Sequence, residues 1–194
     1  MDSTQYETLK NRITDYLKKN LKETRYRHTI NVARLAVKMA GEYGADIRKA
    51  ELAALLHDMA RNISIPEMNM YIEDMGFPVR YMDNMNLAHS KIASVLAGTL
   101  FGIHDEDVLN AVSFHTTGRA GMSLLEKIIF LADAIEPDRD YPGVDEIRKQ
   151  AEGSIDKACL MSLKGTVDHI EKQGIYMDPD TLEAKDYFEQ MEEI

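Results

Sequence analysis

Ser123-Leu124-Leu125-Glu126-Lys127-Ile128-Ile129-Phe130-Leu131-Ala132-Asp133-Ala134-Ile135 begins with a capping-box pattern and then turns apolar around most of a helical circumference. It does not alternate as a half-buried strand would. The same punctuation recurs on both sides. Upstream, a polar segment near 4–19 reads as a helix; Ile30, Ala33, Val37 and Ala40 recur at helical spacing until Gly44, and Asp46 caps a run through Ala50, Ala53, Ala54 and Leu56. Ser64-Ile65-Pro66-Glu67 reads as a second capping box with an early proline, and Gly76 closes its helix. Helices near 86–101 and 105–115 follow, and beyond Pro137 come helices near 143–152, 154–173 and 179–190, the last opened by Asp178-Pro179. The expected fold class is all-α. Short connections make one domain over 1–194 the expectation; 136–142 is the likeliest seam, but seven residues make a connection and not a domain boundary.

The chain has 194 residues, 23 basic and 33 acidic side chains, and a net charge of −10. That balance argues against a general nucleic-acid binder, which needs a basic surface to neutralise phosphates. The single cysteine, Cys159, excludes a disulfide framework and a cysteine zinc cluster, and fits a cytoplasmic setting. Cys159 itself reads as core. The start, Met1-Asp2-Ser3-Thr4-Gln5, lacks a basic-then-apolar pattern, and no apolar stretch approaches the roughly 20 residues of a membrane span, so no membrane partner is expected. Five of the 12 methionines fall between Met68 and Met85; methionine as core filler is the simplest reading.

Two His-Asp dipeptides differ in context. His104-Asp105 follows Gly102, where Asp105 can cap the next helix, so its reading is structural; His169 reads the same way. His57-Asp58 instead ends the apolar run Leu52-Ala53-Ala54-Leu55-Leu56, where both groups would be drawn inward and would need a partner to offset desolvation. Asp133 meets the same difficulty inside its apolar helix. His28 is read as opening a helix, His89 lies on an apolar face, and His115 ends a helix. Each histidine alone reads as a core residue bonded to backbone. Together, four histidines and two aspartates on successive helices supply nitrogen and oxygen ligands for one or two first-row metals, iron, manganese, zinc or cobalt.

The order His28, His57-Asp58, His89, His115, Asp133 resembles the HD-domain phosphohydrolase superfamily in its dinuclear form. Arg25-Tyr26-Arg27-His28, Ala54 to Arg61, His115-Thr116-Thr117-Gly118-Arg119, Leu124 to Asp133, Glu136-Pro137-Asp138-Arg139 and Pro179 to Ala184 narrow the resemblance to the bacterial YqeK family of symmetrical bis(5'-nucleosyl)-tetraphosphatases. It runs from about residue 25 to residue 188; Arg61 stands where that family usually has lysine. The resemblance implies an HD-domain helical bundle with its metal-site core at about 25–140 and C-terminal helices at about 143–190 completing a nucleotide site.

The resemblance also implies roles. His28, His57, Asp58 and Asp133 would hold one iron; with a second ion, Asp58 would bridge, with His89 and His115 as its other ligands, and without one those histidines would face phosphate. A cation there would acidify water and draw charge from a phosphoryl oxygen. Arg25, Arg61, Thr116, Thr117, Arg119 and Arg139 would meet phosphate, with Arg27 and Lys127 adding local positive charge. Tyr176, Pro179, Asp180 and Thr181 would contact the nucleotide. The expected reaction is symmetrical cleavage of diadenosine tetraphosphate to two ADP, in a homodimer. The rival readings are an HD hydrolase of a nucleoside monophosphate, a deoxynucleoside triphosphate or guanosine tetraphosphate, and a silent nucleotide-binding module.

Overall fold

The apolar helix identified above becomes α7, Leu124–Ile135, and it touches α2, α3, α6, α8 and α9. A computed structural model describes residues 1–192. In chain order the other helices are α1 Ser3–Asn20, α2 Glu23–Tyr43, α3 Ile47–Leu56, α4 Ile65–Asp74, α5 Met85–Phe101, α6 Glu106–Phe114, α8 Val144–Ala151, α9 Ile155–Gln173 and α10 Pro179–Glu192. There is no strand among the described residues, so the fold is all-α. None of these helices is long and apolar enough to cross a membrane.

Ile128, Ile129 and Leu131 of α7 are fully buried, each contributing about 1.5–3 kcal/mol by removal from water. Around α7, helix α2 lies chiefly on α3, α5 on α6, and α9 on α10. Polar caps set where these helices begin. The Ser123 box is complete, with Glu126 N–H on Ser123 Oγ and Ser123 N–H on Glu126 Oε2 at 2.7 Å. Asp46 and Asp105 each accept two amide protons at the starts of α3 and α6. His104 remains exposed, in keeping with a structural dipeptide there.

Three local readings need correction. α2 begins at Glu23, so His28 sits in its second turn and does not open it; the polar run before Thr29 conceals a helix start that has no side-chain cap. At Ser64 the hydroxyl accepts from Glu67 N–H at 3.4 Å, but Glu67 makes no return bond, so only the serine half of the box is present. The methionine-rich segment splits: Met68 is fully buried, whereas Met70 on α4 and Met75 at its C-terminal cap are 62% and 47% exposed. A 3₁₀ turn at Val79–Tyr81 also intervenes before α5.

Candidate metal centre

Histidines placed at helix ends already have a use for one ring nitrogen. His57 and His115 directly follow α3 and α6, where carbonyls lack helical partners. Each ring donates from Nδ1 to the carbonyl three residues back, His57 to Ala54 at 2.6 Å and His115 to Val112 at 2.8 Å. His89 Nδ1 donates to Met85 O at 2.8 Å in the first turns of α5, and His28 Nδ1 meets Glu136 Oε1 at 3.1 Å. All four rings therefore turn Nε2 toward one another. Second partners of this kind fix the tautomer of metal-binding histidines.

The carboxylates complete two adjoining groups. His28 Nε2 lies 3.0 Å from Asp133 Oδ1 and 3.6 Å from Asp58 Oδ2, and His57 Nε2 lies 3.9 and 3.4 Å from the same two oxygens. On the other side His89 Nε2 stands 3.2 Å from Asp58 Oδ1 and 3.1 Å from His115 Nε2. Ligands about 2.0–2.2 Å from a shared ion are themselves roughly 3–4 Å apart, the spacing found here. His28, His57 and Asp133 form one compact ligand group, and His57, Asp58 and His115 another. Asp58 offers one oxygen to each side.

The donor set fits a cation by a further test. His28 Nε2 and His57 Nε2 are buried and have no hydrogen-bond partner among the described residues, the condition that buried nitrogen avoids unless something else engages it. Burial opposes ionisation of both carboxylates, yet the facing imidazoles hold Asp58 and Asp133 well below the usual carboxylate range, with Arg139 adding to the effect on Asp133. Burial also opposes charge on His57, but Asp58 and then Asp133 outweigh it and raise its pKa. His115 goes the other way, pushed down to about 3 by burial and by His57 and His89. With no sulfur donor and six nitrogen and oxygen groups, the cage suits a divalent first-row ion.

Positive side chains ring the cage. Arg25 Nη1 donates to Asp58 Oδ2 at 2.7 Å, and Arg139 Nη2 to Asp133 Oδ1 at 2.6 Å. Arg61 Nη1 donates to Met85 O at 3.1 Å and Nη2 to Asn86 Oδ1 at 2.8 Å, tying the residue after the His-Asp turn to the start of α5. Thr116 Oγ1 reaches His115 Nε2 at 3.2 Å. Glu136, which sequence reasoning did not single out, orients His28 and accepts from Asn31 Nδ2 at 3.1 Å. Arg148 fixes that loop by donating to the carbonyls of Ile135, Glu136 and Arg139.

Other expected phosphate ligands are engaged elsewhere. Arg119 has a partner of its own: its Nε and Nη2 grip the two oxygens of buried Glu126 at 2.6 and 3.0 Å. The capping-box glutamate already sits inside and attracts the arginine that follows the turn. Thr117 is 1% exposed, with its hydroxyl donating to Gly118 O. Gly118 has φ 65°, and a Cβ there would stand 3.4 Å from Ala184 of α10, so this turn is tightly covered. Lys127 pairs with Asp156 at 2.6 Å, and Arg27 with Asp138 at 3.0 Å at the surface. Tyr176 is exposed; Thr181 is buried; Asp180 lies beside Arg80 and Lys91, and no described contact joins these residues to the cage. Cys159 is buried, which raises its thiol pKa and leaves it unreactive.

Arg119→Ala is therefore expected to lower stability by about 1–2 kcal/mol through the loss of Glu126's partner, and to leave turnover within about threefold. Thermal melts and steady-state assays read the two effects separately. A hundredfold loss of turnover in a stably folded variant would return Arg119 to the phosphate site.

Residues 25–138 match the HD domain family. The chain is 42% identical over 167 residues to the symmetrical bis(5'-nucleosyl)-tetraphosphatase of Bacillus subtilis (strain 168), covering 86% of this chain and 90% of that protein. It is 45% identical over 172 residues to the protein so named from Halalkalibacterium halodurans, covering 86% and 89% respectively. A crystal structure from Clostridium acetobutylicum, described as a predicted HD superfamily hydrolase involved in NAD metabolism, superposes with a TM-score of 0.89. It shares 43% identity over 93% of this chain and 97% of that one.

Proposed function

From a chain that belongs to the HD domain family, we infer a metal-dependent hydrolase that cleaves diadenosine tetraphosphate symmetrically into two ADP. The observation that carries the reading is the convergence of six imidazole and carboxylate groups, five buried and Asp133 half-buried, with two imidazole nitrogens lacking partners. Residues alone of the right type, spread over the surface, would not support it.

In this reading His28, His57, Asp58 and Asp133 hold one divalent ion, and Asp58, His89 and His115 accommodate a second or turn to phosphate. The bound ion supplies Lewis acidity to a phosphoryl oxygen and lowers the pKa of water. Iron is our assignment within the nitrogen and oxygen class, with manganese, zinc or cobalt as the alternatives that elemental analysis separates. The cation and the ring of Arg25, Arg61 and Arg139 offset the charge of a polyphosphate that the acidic chain as a whole would repel. Arg25 and Arg139 grip carboxylates that a cation would engage, so each can turn part of its guanidinium to a phosphate oxygen.

Cleavage adds water across one P–O–P link: the attacking oxygen bonds to phosphorus, the bridging oxygen leaves with the second nucleotide, and both products are ADP. The leaving group is a terminal phosphate whose last pKa is near 6, so at neutral pH it departs as an anion. The protein then needs positive charge at that oxygen more than a dedicated proton donor. Symmetry demands that the cage act two phosphates away from a held nucleoside. We place that nucleoside at Tyr176, Pro179, Asp180 and Thr181, at the start of α10. A cytoplasmic homodimer belongs to the same reading.

Product analysis tests it. ADP alone from diadenosine tetraphosphate is expected; ATP plus AMP would refute symmetrical attack. No turnover of it by metal-replete protein, with hydrolysis of a nucleoside monophosphate, a deoxynucleoside triphosphate or guanosine tetraphosphate, would reassign the substrate, and binding without any turnover would leave a silent module.

A further inference from the structure

Lys91 is a buried charge that the cage does not use. It lies on α5 two residues beyond His89, so the two side chains leave nearly opposite sides of the helix. Its side chain is 6% exposed, and its nearest carboxylate, Asp180 Oδ2 in the first turn of α10, stands 3.8 Å away, beyond hydrogen-bonding distance. The ammonium rests instead 3.6 Å from the centroid of the Phe114 ring and 5.9 Å from that of Tyr81. Arg80 reinforces the joint from the 3₁₀ turn: its Nε lies 3.2 Å from buried Asp178 Oδ2 and its Nη2 3.9 Å from Asp180 Oδ1. Desolvating a lysine whose nearest counter-charge is 3.8 Å away is costly, and this one sits where α5, the 3₁₀ turn and α10 meet.

The joint borders the catalytic cage. Phe114, under the Lys91 ammonium, directly precedes His115, and the turn after His115 is covered by Ala184 of α10. The start of α10 is thus linked to the cage only indirectly, through Phe114 and the turn after His115, with Tyr176, 51% exposed, just before it. Asp178 Oδ1 accepts from Asp180 N–H at 2.9 Å, so the turn that Lys91 and Arg80 hold is itself internally fixed.

We propose that Lys91 is a positioning residue for the nucleotide, holding the first turn of α10 through Asp180 at a set distance from His89 and His115. The proposal rests on the tetraphosphatase reading, because only a substrate that spans the cage and a nucleoside site needs that distance fixed. One rigid helix then carries both references, His89 toward phosphate and Lys91 toward the turn that meets the nucleoside. Lys91 acts on substrate through Asp180 and does not touch the reacting atoms.

The test uses the metal-loaded full chain: calorimetric titration with ADP, and steady-state cleavage of diadenosine tetraphosphate, for the parent protein, Lys91→Met, Asp180→Asn and the double variant. Methionine keeps an unbranched stem against Phe114 and Tyr81 while removing the charge. The ADP Kd and the KM are expected to rise about tenfold, or about 1.4 kcal/mol, with kcat within about threefold, metal content unchanged, and the double variant no weaker than the weaker single. Values within about twofold of the parent in folded Lys91→Met would overturn the proposal, as would a loss confined to kcat and metal content. Should Lys91→Met not fold, Lys91→Gln carries the same expectation and the same refutation by unchanged ADP binding. Failure of the parent to give two ADP sinks the tetraphosphatase reading separately, since the ADP titration does not depend on turnover.

Discussion

Asp58→Ala is expected to lower turnover of diadenosine tetraphosphate by at least about 10³-fold, some 4 kcal/mol in the barrier, and to strip most of the bound metal at the same time. The carboxylate faces both halves of the cage: Oδ2 lies 3.4 Å from His57 Nε2 and 3.6 Å from His28 Nε2, while Oδ1 lies 3.2 Å from His89 Nε2. Removing it takes away two oxygen donors and half of the negative charge that Asp58 and Asp133 offer a cation. It also releases Arg25, whose Nη1 lies 2.7 Å from Oδ2. A guanidinium left beside the vacated position repels an incoming divalent ion, so the loss exceeds that of a missing ligand. Arg25 is 30% exposed and can turn to water, which keeps the variant foldable. Elemental analysis of anaerobically purified protein, alongside turnover, reads both effects. A variant with its full metal complement and activity within about tenfold of the parent would refute the assignment of Asp58.

Why the six ligands could be read from sequence, while their supports could not, follows from the range of each interaction. A carboxylate inside Leu124 to Ile135 and a His-Asp pair ending Leu52 to Leu56 are local contradictions of an apolar pattern, visible without a fold. Helix starts at Asp46, Asp105 and Ser123 are local too, because a cap bonds amides two or three residues on. Glu136 and His28 are 108 residues apart, and nothing in Ile135-Glu136-Pro137 signals that its acid faces α2. An acid immediately after a buried helix that carries a candidate ligand was the available clue. Arg119 is the complementary case: its place after His115-Thr116-Thr117-Gly118 points to phosphate, whereas its pairing with buried Glu126 depends on a contact the local pattern does not signal. Lys91 gave no signal, since its burial depends on Phe114, Tyr81 and α10 arriving together.

Stripping the metal with a chelator is expected to lower the melting temperature by about 10 °C without changing the helical content at 25 °C. Four imidazoles, each with Nδ1 engaged, direct their Nε2 atoms inward, and those of His89 and His115 are 3.1 Å apart. The Nε2 atoms of His28 and His57 are buried without a hydrogen-bond partner, so a cation would engage nitrogens that the chain alone leaves unsatisfied. Ion binding would therefore satisfy these nitrogens, and it is confined to the folded state because the candidate ligands come from α2, α5 and α7 and from the residues that end α3 and α6. At free metal about 1,000 times the Kd, the linkage stabilises the fold by about 4 kcal/mol, and a domain of this size shifts by roughly 2–4 °C per kcal/mol. Asp58→Ala is the internal control, because a protein that no longer retains the ion has little left for a chelator to change. Calorimetry of parent and variant, with and without chelator, separates a structural cage from chemistry alone. An unchanged melting temperature in parent protein shown by elemental analysis to be metal-free would mean that the six groups are content without a cation, and the site would lose its physical reason for existing.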